Sequence, residues 1–92
     1  MVQVLGIDHL AIRVRNLKKS KAFYDRLLGF MGFELELEFG KTLGWDNGRT
    51  MYWITEADTK GKKHKHRIGD VGFHHYAFEL ARPGQVDKVY EL

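Results

Sequence analysis

The chain has 92 residues, 43% hydrophobic and 29% charged, with a net charge of +3 and no cysteine. This composition describes one small globular domain and excludes a disulfide framework or a thiolate metal site. No apolar run approaches the roughly 20 residues needed to span a bilayer, and no basic-then-apolar N-terminal signal is visible, so the cytoplasm is the expected setting.

Residues 4–14 read as a strand. Ile7, His9, Ala11 and Arg13 point one way, and Asp8, Leu10, Ile12 and Val14 the other. The second set, apolar beyond Asp8, is expected against a helix, which leaves His9 on the open face beside small Ala11. Asn16 is placed to cap a helix over 17–31. Its apolar stripe runs through Leu17, Phe23, Tyr24, Leu27, Leu28 and Met31, and Gly32 is placed to end it. Next comes a clean alternation: Phe33, Leu35, Leu37 and Phe39 on one face, Glu34, Glu36 and Glu38 on the other. A short strand follows around Thr42 to Trp45, then the tight-turn signal Asp46-Asn47-Gly48, then a strand from Thr50 to Glu56. Residues 57–71 form a polar linker. A strand is expected at 72–80, Pro83-Gly84 turns the chain, and a helix begins at Gln85.

The order β-α-β-β-β, linker, β-α contains a repeat. Gly6-Ile7-Asp8-His9-Leu10-Ala11-Ile12 returns as Gly72-Phe73-His74-His75-Tyr76-Ala77-Phe78, an offset of 66 residues (9 to 75). Phe23-Tyr24-Asp25 falls opposite Val89-Tyr90-Glu91 in the same register. One supersecondary unit is used twice. The expected fold is therefore α+β: a complete βαβββ module at 1–56, an inter-module linker at 57–71, and the start of an incomplete second module at 72–92.

Lys60, Lys62, Lys63, Lys65 and Arg67, interleaved with His64 and His66, make a basic run inside the linker. It lacks the aromatics that single-stranded nucleic-acid binding uses, so a solvated loop is expected and nucleic acid is not an expected partner.

The repeat register sets His75, not His74, opposite His9. Two imidazoles on neighbouring strands, facing away from the helices, are half of a divalent-metal site, and His74 is expected to face the helices. Arg13, two positions from His9 on the same face, is suited to an anionic substrate group. Trp45, Tyr52 and Trp53 are suited either to the wall of a substrate cup or to the core.

The strand Ile7-Asp8-His9-Leu10-Ala11-Ile12-Arg13-Val14, the helix end Phe23-Tyr24-Asp25-Arg26-Leu27-Leu28-Gly29-Phe30 and the restart His74-His75-Tyr76-Ala77-Phe78 together resemble the vicinal oxygen chelate superfamily. That group includes glyoxalase I, extradiol dioxygenases and the fosfomycin- and bleomycin-resistance proteins. The resemblance implies paired βαβββ modules forming a cupped mixed sheet. In metal-dependent members a divalent ion (nickel, zinc, manganese, magnesium or iron) is held by a histidine on each module's first strand and by carboxylates on the last. His9 and His75 match the two histidine positions, but Trp53 stands where the first-module Glu would lie. Glu79 shares a face with His75 yet sits roughly 13 Å along the strand, at about 3.3 Å per residue. Glu36, Glu38 and Glu56 stay open as ligands. Two functions follow from the resemblance: a glyoxalase-like, metal-dependent enzyme acting on a small molecule with adjacent oxygens, or a metal-free module that sequesters small compounds. Both imply a homodimer, since the cup needs a second module.

Overall fold

The computed structural model describes residues 1–64 and 69–92. Its elements are β1 (His9–Val14), α1 (Leu17–Phe30), β2 (Glu34–Phe39), β3 (Thr42–Asp46), β4 (Met51–Glu56) and α2 (Gly84–Tyr90), with a short 3-10 turn at Gly61–Lys63. Lys65, His66 and Arg67 of the basic run lie outside the described residues. The four strands form one mixed sheet in the order β1-β4-β3-β2. β1 runs parallel to β4, while β3 is antiparallel to both β2 and β4.

Helix α1 begins where the Asn16 side chain accepts the Lys19 backbone N–H at 3.0 Å. It ends at Gly32, whose φ of +89° lets the chain reverse so that the Phe33 N–H reaches the Leu28 carbonyl at 2.9 Å. The core beneath it is Leu28, Phe33, Leu43, Trp45, Tyr52 and Ile54. Burying an aliphatic side chain such as Ile54 contributes about 1.5–3 kcal/mol. Leu10, Ile12 and Val14 pack against this cluster. His9, Ala11 and Arg13 are exposed on the other face of β1, as the alternation predicts.

Two carboxylates fasten the helix side. Asp25 accepts from Lys21 at 2.5 Å and from the buried Trp45 indole N–H at 3.0 Å. The Lys21 hydrogen bond, then that of Trp45, holds the Asp25 carboxyl below its ordinary range. Glu56 accepts the Leu17 backbone N–H at 3.1 Å, which with Lys62 and Lys41 lowers its carboxyl too. Glu56 is thus committed to the start of α1.

Strand β2 departs from the even alternation expected of it. Its pairing with β3 shifts register between Leu35 and Leu37, so Glu36 is an extra residue. Leu35 pairs with Trp45 and packs against the core, as expected. Beyond the bulge, Glu38 pairs with buried Leu43 while Leu37 and Phe39 pair with Gly44 and Thr42. Leu37 and Phe39 therefore cross to the face carrying His9. Glu38 turns toward α1, where its charge acts on Lys21. Periodicity could not reveal this, because one inserted residue leaves the written pattern unchanged while inverting every face after it.

The second copy of the repeat begins without a ladder. No strand is assigned over residues 73–80, and β1 keeps an unpaired edge among the described residues. The segment still engages the core through Tyr76 and Phe78, whose rings lie 5.9 and 6.3 Å from that of Tyr52. Helix α2 forms where expected and lies beside α1. The Arg26 guanidinium donates to the Leu92 carbonyl at 2.9 Å. These two residues are equivalent in the repeat, and contact between equivalents is what a local two-fold relation produces.

Candidate functional site

The registers arrange the face opposite α1 into three rows. The first crosses the sheet as His9, Met51, Asp46 and Glu34; the second as Ala11, Trp53, Gly44 and Leu37; the third as Arg13, Thr55, Thr42 and Phe39. Neighbours within a row stand about 4.8 Å apart along the hydrogen-bonding direction. Trp53 holds the centre, flanked by the two smallest side chains on the face.

That smallness is required. A Cβ on Gly44 would lie 2.7 Å from Trp53 Cδ1 and 2.9 Å from its Nε1. Glycine here lets the indole lie flat against the sheet, the close approach that a glycine inside a strand often marks. The same ring stacks on His9, with centroids 4.4 Å apart and planes inclined by 17°. His9 is held at its ring edge by Asp8, whose Oδ2 lies 2.9 Å from Nδ1. Trp53 Nε1 is buried and has no acceptor among the described residues. An unmade hydrogen bond of this kind costs about 1–3 kcal/mol. Tryptophans normally satisfy the N–H when it is buried. Here the donor is left unpaired beside Gly44 while the side chain stays partly open, an arrangement that favours presenting a ring surface.

Arg13 is exposed and borders a mainly apolar cavity of about 500 Å³ between β1 and residues 71–76, walled by Ala11, Phe73 and Tyr76. His75 is exposed, and its Nδ1 lies 2.5 Å from that of His74. Consecutive strand residues point to opposite faces, so this contact goes with the missing ladder at 73–80. His74, expected to face the helices, is exposed as well.

The donor set is the test for the divalent ion the resemblance implies. Asp8 on Nδ1 leaves His9 Nε2 free, which is how a carboxylate orients a ligating imidazole. Beyond that the fit fails. Among the described residues, no three His, Asp or Glu side chains gather as a metal would need. Glu38 and Glu56 turn to the helix side, and Asp46 already accepts the Gly48 N–H at 2.7 Å. Of the three large aromatics named from the sequence, Trp45 and Tyr52 are core and Trp53 alone faces the cup. The sequence reading missed Gly44, although a glycine within Thr42-Leu43-Gly44-Trp45 was the available signal.

Comparison with known proteins agrees with the geometry. The model of the Glyoxalase/Bleomycin resistance protein/Dioxygenase superfamily matches residues 6–92. A candidate glyoxalase of Bacillus halodurans is similar at 26% identity and a TM-score of 0.81, over 92% of this chain and 64% of that one. The chain thus spans just under two thirds of that protein's length. Lactoylglutathione lyase from Agrobacterium tumefaciens shares the fold at 24% identity and a TM-score of 0.66, covering 96% of this chain and 67% of the other. So does the oxidase ChaP-H2, at 17% identity and a TM-score of 0.59, with 97% and 60% covered. No curated protein matches the chain.

Proposed function

Because the chain belongs to the Glyoxalase/Bleomycin resistance protein/Dioxygenase superfamily, we propose that its cup face binds a small planar molecule against the stacked pair of Trp53 and His9, without a chelated metal. The observation that carries this is the Trp53 indole, flat on Gly44 and stacked on His9, in the middle row of the face. Arg13, at the end of the next row, receives an acidic group of the same ligand. Leu37 and Phe39, brought over by the bulge, extend the apolar surface beside the ring.

Titration with 2-naphthoate, followed by tryptophan emission, tests this. Quenching should saturate in the native chain, vanish in Trp53→Ala, and weaken about tenfold in Arg13→Ala, the loss expected of one charge-assisted hydrogen bond. Equal quenching in Trp53→Ala and the native chain would overturn the proposal.

One observation favours the metal-dependent enzyme as a second reading: the Asp8–His9 pair, which engages Nδ1 and not Nε2. His9 and His75 would then be its ligands. Calorimetry with nickel, zinc or manganese decides for it if a site appears that both His9→Ala and His75→Ala abolish.

A homodimer accompanies either reading. Ile7, Phe39 and Phe73 are 61%, 78% and 63% exposed, and a second copy would cover them. No described helix is long and apolar enough to cross a membrane.

A further inference from the structure

The opposite side of the sheet carries a second cavity, which shares only Tyr76 with the lining of the cavity beside Arg13. It has a volume of about 430 Å³ and lies among α1, α2 and residues 76–80. Leu27, Leu28, Met31, Val86 and Val89 supply apolar wall, and among the described residues no charged side chain lines it. Its polar features are tyrosine hydroxyls, and three of them are linked. Tyr52 Oη donates to Tyr24 Oη at 3.4 Å and also hydrogen-bonds Tyr76 Oη.

Counting protons gives the chain a direction. Each hydroxyl has one proton to donate. Tyr52 spends its proton on Tyr24, so the contact with Tyr76 needs the Tyr76 proton. The run is Tyr76 to Tyr52 to Tyr24, and the Tyr24 proton has no acceptor assigned among the described residues. Hydrogen bonds in series polarise one another, which makes the last donor the strongest. Burial, with the hydrogen bonds to Tyr24 and Tyr76, pushes the Tyr52 hydroxyl far above its ordinary pKa, so Tyr52 stays neutral.

From the apolar wall, the absence of charge among the described lining residues and the outward donor that ends the linked run, we infer that this cavity binds a small, neutral, apolar molecule carrying one hydrogen-bond acceptor, such as an aromatic ketone. Tyr24 donates to the ketone oxygen, and the ring of the ligand lies against Leu27, Met31 and Val89. An anion is disfavoured because no cation among the described residues lines the pocket.

Acetophenone and ethylbenzene, two ligands of similar shape, test this on the full chain by NMR titration. Acetophenone should give saturable shifts at Tyr24, Tyr52 and Val89 and bind about three- to tenfold tighter than ethylbenzene, the gain from one neutral hydrogen bond. Tyr24→Phe should erase that preference while ethylbenzene binding persists. Val89→Trp, which fills the cavity from the half-exposed side of α2, should remove both. Trp53→Ala should change neither, which separates this site from the cup. No saturable shift at these residues, shifts confined to Trp53, or an unchanged ketone preference in Tyr24→Phe would each overturn the assignment.

Discussion

His9 lies on Trp53 with ring centroids 4.4 Å apart, and the indole beneath rests on a glycine that cannot carry a side chain. The histidine most suggestive of metal ligation is therefore part of an aromatic stack. Stacking of this kind is worth about 0.5–1.5 kcal/mol beyond the area it buries. It fixes the imidazole plane, and Asp8 fixes its tautomer by taking Nδ1. The result is a rigid, partly open ring surface at the centre of the cup.

Gly44→Ala tests that arrangement through stability. The added methyl meets Trp53 Cδ1 at 2.7 Å and Leu37 Cβ at 3.1 Å, so the indole must lift. Overpacking of this degree costs about 1–3 kcal/mol. Denaturant unfolding should show the loss, and Trp53→Ala in the same chain should restore most of it. A stable Gly44→Ala protein would mean the indole does not lie flat.

Acid should loosen the helix side of the sheet. Asp25 and Glu56 both have carboxyls held below their ordinary values, chiefly by Lys21 and by the Leu17 N–H respectively. A depressed carboxyl contributes stability in full above its unfolded value, about 3.9 for Asp and 4.3 for Glu. That contribution falls away as pH drops through the folded values. Melting temperatures should therefore decline from about pH 5 downward, and Asp25→Asn and Glu56→Gln should each flatten the decline. Identical slopes in the variants would assign the acid sensitivity elsewhere.

Self-association follows from what the sheet leaves open. β1 and β2 are both edge strands among the described residues, and Phe39 at the end of β2 is 78% exposed. Light scattering should give a mass above the 10.7 kDa of one chain, and Phe39→Lys should lower it. A monomer mass at every concentration would exclude the homodimer.

Much of the fold was legible because its signals are local. The face carrying Leu10, Ile12 and Val14, the Asn16 cap and the Gly32 stop each depend on residues a few positions apart. The features that were not legible depend on partners distant in sequence. The bulge at Glu36 is defined only against β3, and the flat seating of Trp53, a residue the sequence did nominate for the cup, is defined only by Gly44 and His9. The ladder expected at 72–80 has the right alternation, but a strand exists only where a neighbour pairs with it. His9 was identifiable from the repeat. That its ring would be stacked was not, since nothing within two residues of it announces Trp53.

The indole N–H resonances of the two tryptophans give the most direct test. Trp45 is buried against Asp25 and should stay fixed under any addition, whereas Trp53 faces the cup. Adding 2-naphthoate should shift the Trp53 resonance saturably, and adding manganese at equal concentration should leave it and the His9 ring signals sharp. Selective manganese broadening of the His9 and Trp53 signals, with no response to 2-naphthoate, would contradict the account and place a metal where we place a ligand ring.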